Sequence, residues 1–202
     1  MLEAESLECE RGGRKLFGPL SLRLSAGDLL RIAGPNGSGK TSLLRILCGL
    51  LEPTAGEVRW QGERIRHLRE DYSRHLVYLG HAPAVKDELT PEENLDVTCR
   101  LAGLSLQKSS MREALNGYSV PDLPVRKLSQ GQRRRAALAR LVVSEGVPIW
   151  LLDEPFAALD TAAAKFTEDL VDKHVARGGA VAYTTHQPTA LDARSRVIDL
   201  SR

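Results

Sequence analysis

Long apolar runs, paired cysteines, repeats and net charge are all scarce in this chain, and each scarcity excludes something. No window approaches the roughly 18 apolar residues of a membrane-spanning helix. The longest apolar run, Val147–Leu152, has the length of a buried strand. The N-terminus, MLEAESLECERGGRK, lacks the apolar core of a signal peptide. Any membrane role therefore has to come through a partner. The cysteines Cys9, Cys48 and Cys99 have no metal-ligand spacing, and their odd number leaves a thiol over in any disulfide scheme. Reduced, mostly buried thiols in a cytoplasmic protein are the expectation. A formal charge of +2 gives no strong electrostatic preference for nucleic acid or an anionic membrane. There is no internal repeat and no low-complexity tract.

What remains is an ordinary soluble composition, and 202 residues suffice for one domain with a substantial core. Leu2–Cys9 and Leu20–Leu24 alternate as half-buried strands do, around the turn-rich RGGRK. Leu29–Ala33 is a short apolar run ending at a glycine loop, and Thr41–Leu51 follows with a wide helical face of leucines and isoleucine. Glu57–Trp60 with Glu63–Ile65 reads as a hairpin, and His75–Leu79 as another strand. Pro91 to about Asn116 is helical and less apolar, with Thr90 as cap. It predicts an inserted helical lobe over 82–125, on a core of 1–80 and 126–202. Helix Gly131–Ser144, strand Val147–Leu152, helix Thr161–Ala176, strand Ala180–Thr184 and a last strand near Val197–Leu200 complete the pattern. Alternating strands and helices imply an α/β class with a mostly parallel sheet and right-handed crossovers.

Three strings carry chemistry. GPNGSGKT, at Gly34–Thr41, fits the phosphate-loop pattern and sits between strand and helix, as that loop requires. Gly34, Gly37 and Gly39 allow a backbone curl whose N–H groups converge on phosphate at the positive end of the next helix. With Pro35, Asn36 and Ser38 they form the expected ATP-binding loop. Lys40 supplies a point charge to the β/γ-phosphates, and the Thr41 hydroxyl can coordinate Mg²⁺. LLDEP, at Leu151–Pro155, delivers two carboxylates at the C-terminal end of a buried strand, where sites form in open α/β sheets. Asp153 is the natural partner of the Mg²⁺ shell, and Glu154 is placed to orient and polarise an attacking water. The third string, LSQGQ at Leu128–Gln132, precedes the arginine run Arg133–Arg135. That run is read either as a phosphate-seeking patch or as a solvated helix face with some packing.

GPNGSGKT, LSQGQRRRAALARL, LLDEP, the AALD at Ala157–Asp160 and His186 together resemble the ATP-binding subunits of ABC transporters, in order and over essentially the whole chain. The resemblance implies a P-loop NTPase core with an N-terminal antiparallel β subdomain and a small inserted helical subdomain. It implies ATP and Mg²⁺ as cofactors and a homodimer. In that homodimer Ser129 and Gly131 of one copy contact the γ-phosphate held by the other. Asp160 then belongs to the subunit interface, and His186 touches the γ-phosphate from its own side. Glu154, His186 and Lys40 are the catalytic residues so implied.

Two positions depart from the family pattern. Counting back from Leu89-Thr90, the place where relatives carry a Mg²⁺-contacting glutamine holds His81, and no glutamine lies between Gln61 and Gln107. A neutral imidazole can accept a hydrogen bond from a metal-bound water, whereas an imidazolium would repel the metal. Near the start, Arg11 stands where relatives carry an adenine-stacking aromatic. Its guanidinium plane can stack instead, or it is simply an exposed arginine.

YLGHAPAVKDELTPEENL, at Tyr78–Leu95, and CERGGRKLF, at Cys9–Phe17, are similar to one subgroup, the ATP-binding subunits of cytochrome c maturation systems, described as haem exporters. The subgroup implies integral membrane subunits of that system as partners and a peripheral place on the cytoplasmic face of the bacterial inner membrane. It implies no direct haem binding by this chain, which has no Cys-x-x-Cys-His and no histidine in an evident haem pocket. Two alternatives are weighed beside it: an importer ATPase for another substrate, and a soluble assembly or translation ATPase. Translation-type relatives usually carry two such cassettes in one chain, and one is present here.

Overall fold

The computed structural model describes residues 1–68 and 70–201. Two sheets meet in it. Strands β1 (Leu2–Arg11), β2 (Arg14–Leu24), β4 (Ala55–Trp60) and β5 (Glu63–Arg64) form an antiparallel sheet in the order β2-β1-β4-β5. Strands β3 (Leu29–Ala33), β6 (Leu76–Leu79), β7 (Ile149–Leu152), β8 (Ala180–Thr184) and β9 (Arg196–Asp199) form a parallel sheet in the order β6-β7-β8-β3-β9. The α/β class and the N-terminal antiparallel sheet expected from the sequence are both present.

The parallel sheet is covered on both faces, and the period-2 alternation of its strands assigns each residue to a layer. Leu30, Ile32, Ile149, Leu151, Ala180 and Ala182 face a core shared with the antiparallel sheet and with helix α1 (Lys40–Leu47). Their neighbours Leu29, Trp150, Leu152, Val181 and Tyr183 face the opposite core. Helices α6 (Gln130–Val143) and α7 (Thr161–Ala176) cover this second core, as do α4 (Pro91–Leu101) and α5 (Lys108–Gly117). Each of the buried leucine, isoleucine and valine side chains contributes about 1.5–3 kcal/mol relative to exposure, so the sheet has no face free to slip register. Among the described residues no helix is long and apolar enough to cross a membrane.

Glycines reset two of the predicted helix boundaries. The face expected to run to Leu51 stops at Leu47, because Gly49 turns to φ +78° and Leu50 N–H reaches back to the Arg45 carbonyl at 2.8 Å. Leu50 is consequently two-thirds exposed. The single helical pattern over Pro91–Asn116 divides in the same way, at Gly103 with φ +76°, where Leu104 N–H bonds the Cys99 carbonyl at 2.8 Å. The cap expected at Thr90 is a full capping box with Glu93. Two one-turn helices, α2 (Ile65–Leu68), directly after β5, and α3 (Glu70–Ser73), carry no periodic signal.

His174 is buried on α7 with its ring stacked on Trp150 at 3.8 Å between centroids and 4° between planes. Burial, the largest cause, holds its pKa below the ordinary 6.5. The unfolded chain therefore takes up the proton first, and stability present above about pH 7 is lost as pH falls through 6.5. The thermal midpoint is expected to fall from pH 7 to pH 5, and His174→Phe to flatten that fall; an identical slope in the variant contradicts the account. A Cβ at Gly103 meets no atom within 4 Å, so Gly103→Ala isolates the cost of the positive φ alone. Urea denaturation is expected to read a loss of about 1–2 kcal/mol.

Candidate functional site

The site forms where parallel strands end together. Register pairs Leu79 with Leu152, Leu152 with Tyr183, and Ile32 with Thr184. Gly80, Asp153, Thr184 and Gly34 therefore emerge along one edge of the sheet, the edge at which open α/β sheets build their sites. The sequence-predicted residues fall into two groups on the structure, and only one group is assembled within the chain.

The first group surrounds the phosphate loop. Gly34, Gly37 and Gly39 take φ values of +141°, +79° and +98°, conformations an L side chain rarely adopts. A Cβ at Gly39 would stand 2.8 Å from Phe17 Cδ1, so β2 braces the loop from behind. Lys40 is buried, and its ammonium donates to the carbonyls of Gly34 at 2.8 Å and Pro35 at 3.1 Å, tying the loop to its own helix. Ser38 Oγ is buried without a hydrogen-bond partner, while Pro35, Asn36 and Gly37 form the exposed rim. A polar cradle with an unsatisfied hydroxyl beneath it suits a phosphate oxygen.

Asp153, only 2% exposed, joins three elements. Its Oδ2 accepts from Thr41 Oγ1 and its Oδ1 from Thr184 Oγ1, each at 2.8 Å. Thr184 Oγ1 in turn accepts the backbone N–H of Glu154 at 2.9 Å. Glu154 itself sits at φ +52°, which turns its carboxylate toward β8. There Oε2 accepts the His186 N–H at 3.2 Å, and His186 Nε2 lies 3.5 Å from Oε1. Oε1 is buried and has no hydrogen-bond partner. Thr41, Asp153, Glu154 and His186 are thus brought together as one linked set.

Among the described residues no cluster of three or more His, Cys, Asp or Glu could cage a metal by itself. The Thr41 hydroxyl and the Asp153 carboxylate are hard oxygen donors held side by side. That set fits Mg²⁺, which keeps waters and substrate phosphates in its shell rather than demanding an all-protein cage.

The second group makes no hydrogen bond to the loop among the described residues. Ser129 caps α6 through a capping box with Gln132, and no hydrogen bond among the described residues joins 129–132 to 34–41. Gly131 is pressed against the segment before α7: a Cβ there would stand 2.7 Å from the Ala158 carbonyl oxygen. Asp160 caps α7 by accepting from the Ala163 N–H at 2.8 Å, and its other oxygen pairs with Arg135 at 3.2 Å. Ser129, Asp160 and His186 are all exposed.

His81 is exposed as well. Its imidazole makes no hydrogen bond among the described residues, although its carbonyl accepts from Arg134 at 3.2 Å. Arg11 stands at the exposed end of the β1–β2 hairpin, opposite Arg14, and does not reach the loop through any hydrogen bond or ion pair among the described residues.

Sequence reasoning missed two participants. Thr184 closes an apolar strand with a hydroxyl at the sheet edge, and that position was itself the signal. Arg134 is 3% exposed, which fits neither reading of the arginine run. It lies in helical phase with the buried Leu138 and Leu141, so the pattern did mark it as inward-facing. Its guanidinium donates through Nη1 to the carbonyls of Gly80 and His81 and through Nη2 to those of Asp153 and Glu154. Burial, the largest cause, lowers its pKa, and the nearby Asp153 and Glu154 carboxylates oppose that.

The family model described as ABC transporter matches residues 17–157. A protein of Aromatoleum aromaticum named cytochrome c biogenesis ATP-binding export protein CcmA is 51% identical over 100% of this chain and 95% of its own length. One of the same name from Nitrosospira multiformis is 49% identical over 92% of this chain and 91% of its own. A solved dimeric bacterial ABC transporter cassette superposes with a TM-score of 0.86 at 23% identity, covering 100% of this chain and 94% of that one. The chain belongs to the ABC transporter family, as an ATPase subunit of the cytochrome c biogenesis export type.

Proposed function

We propose that two copies of this chain sandwich ATP and drive an export step in cytochrome c biogenesis, with haem or its carrier as the cargo handled by membrane subunits. The observation that carries the reading is the linked set Thr41–Asp153–Thr184–Glu154–His186, standing beside the phosphate loop while Ser129, Gln130 and Asp160 are exposed. A loop that holds phosphate and a carboxylate with a free buried acceptor make half of a hydrolytic site. Exposed Ser129, at the N-terminus of α6, supplies donors that suit the γ-phosphate held by a second copy. Support for the dimer also comes from the superposable cassette, whose solved form is dimeric.

In this mechanism Lys40 leaves its own loop carbonyls for the β/γ-phosphates and neutralises their charge. Thr41 and Asp153 would hold Mg²⁺, which when bound screens the phosphate charge. Glu154 Oε1 accepts a hydrogen bond from the attacking water and polarises it, and His186 stands beside that carboxylate toward the γ-phosphate. The helical lobe over 82–125 and the His81 loop carry the surface that meets the membrane subunits. The chain itself stays peripheral, on the cytoplasmic face of the inner membrane, and makes no contact with haem or nucleic acid.

Glu154→Gln is expected to bind ATP normally, to hydrolyse it about 10²- to 10⁴-fold more slowly, and to elute as a dimer with ATP in size-exclusion chromatography. An ATP-loaded variant that stays monomeric overturns the two-copy site. At His81, Gln is expected to retain hydrolysis, whereas Ala loses the response of hydrolysis to co-expressed membrane subunits. A fully responsive alanine variant removes His81 from the mechanism. For the cargo, cells whose only copy is Glu154→Gln are expected to lack haem-stained c-type cytochromes, and normal staining contradicts the assignment.

A further inference from the structure

The arginine run on α6 does three different things. Arg133 pairs with Asp87 at 2.7 Å and donates to the Leu128 carbonyl at 3.2 Å, holding the far end of the 80–90 loop. Arg135 pairs with Asp160 ahead of α7. Arg134 is the buried member, and its two arms divide cleanly. Nη1 holds the carbonyls of Gly80 at 2.7 Å and His81 at 3.2 Å, just past β6. Nη2 holds those of Asp153 at 2.8 Å and Glu154 at 2.6 Å, just past β7. Four backbone oxygens at the ends of two adjacent strands thus share one planar cation. No other described side chain bridges these two segments.

We propose that Arg134 is a positioning residue that couples the His81 loop to the Asp153–Glu154 pair, so that the partner-facing loop and the hydrolytic carboxylates move as one body. The proposal rests on the hydrolytic reading above and adds the route by which it reaches the loop. The physical basis is the fork. A guanidinium is rigid and planar, so displacing one carbonyl pair tilts the plane and pulls the donors away from the other pair. An ammonium cannot do this: a lysine at 134 carries the same charge but can serve only one pair at a time. The carbonyls of Asp153 and Glu154 fix the backbone that aims both carboxylates, and Glu154 already sits in a left-handed conformation that needs outside support.

Arg134→Lys is therefore the informative variant, since it keeps the buried charge and one carbonyl pair. Peptide-level hydrogen exchange on the full chain, with and without Mg-ATP, reads the coupling directly. In the unaltered chain, segments 80–84 and 153–158 are expected to exchange together and to gain protection together. In Arg134→Lys, 80–84 is expected to exchange faster and to lose its response, while the loop over 34–41 responds as before. In steady-state kinetics kcat is expected to fall about 10- to 100-fold with KM little changed. Arg134→Gln, which has lost both charge and fork, is expected to show the same decoupling and is not expected to be rescued toward the arginine values. Unchanged exchange at 80–84 in folded Arg134→Lys overturns the proposal, as does a uniform loss of protection across the whole chain. Failure of the hydrolytic reading looks different: the unaltered chain itself would not turn over ATP, while the exchange of the nucleotide-free chain would still report the coupling.

Discussion

A single buried carboxylate organises this molecule. Asp153 is nearly excluded from water, and an ion in that position is costly unless its oxygens are matched by donors. Thr41 and Thr184 match them, and hydrogen bonds to a charged group contribute about 1.5–3 kcal/mol each. Because Thr41 opens α1 and Thr184 closes β8, satisfying Asp153 fixes the phosphate-loop helix and two strands at one point. The Glu154 backbone joins the same junction, its N–H donating to Thr184.

The rest of the site inherits its placement from the parallel sheet. In a parallel sheet adjacent strands run the same way, so their C-terminal ends present successive loops along one edge. Gly80, Asp153, Thr184 and Gly34 lie along that edge although they are far apart in the chain. Two well-packed cores hold the sheet from either side, while Ser129, Asp160 and His186 stay exposed. Arg134 lies beneath the same edge. It places positive charge under two carboxylates without neutralising either by direct contact, leaving the Glu154 oxygen free.

Much of this was legible residue by residue. The phosphate loop announced itself because glycine spacing, lysine and threonine serve one local task, and a local task leaves a local signature. The cap at Thr90 was readable for the same reason. Helix ends at Gly49 and Gly103 were less so, since a glycine in a periodic stretch can sit inside a helix or stop it. Thr184 and Arg134 were overlooked because their partners lie at least 30 and at least 19 residues away, beside strands whose neighbours only folding selects.

The sequence by itself determined where the glycine-rich loop lies, which carboxylates follow the buried strand, and which family the whole order resembles. Those are properties of short segments whose spacing is covalent. Only the tertiary structure decided that Asp153 spends both oxygens on threonines from different elements, and that one arginine of three turns inward to hold four carbonyls. It also turned Ser129 to capping its own helix, with no hydrogen bond among the described residues from LSQGQ to the phosphate loop of its own chain. Those choices depend on strand order and burial, which arise when distant segments exclude water together rather than from any one segment's pattern.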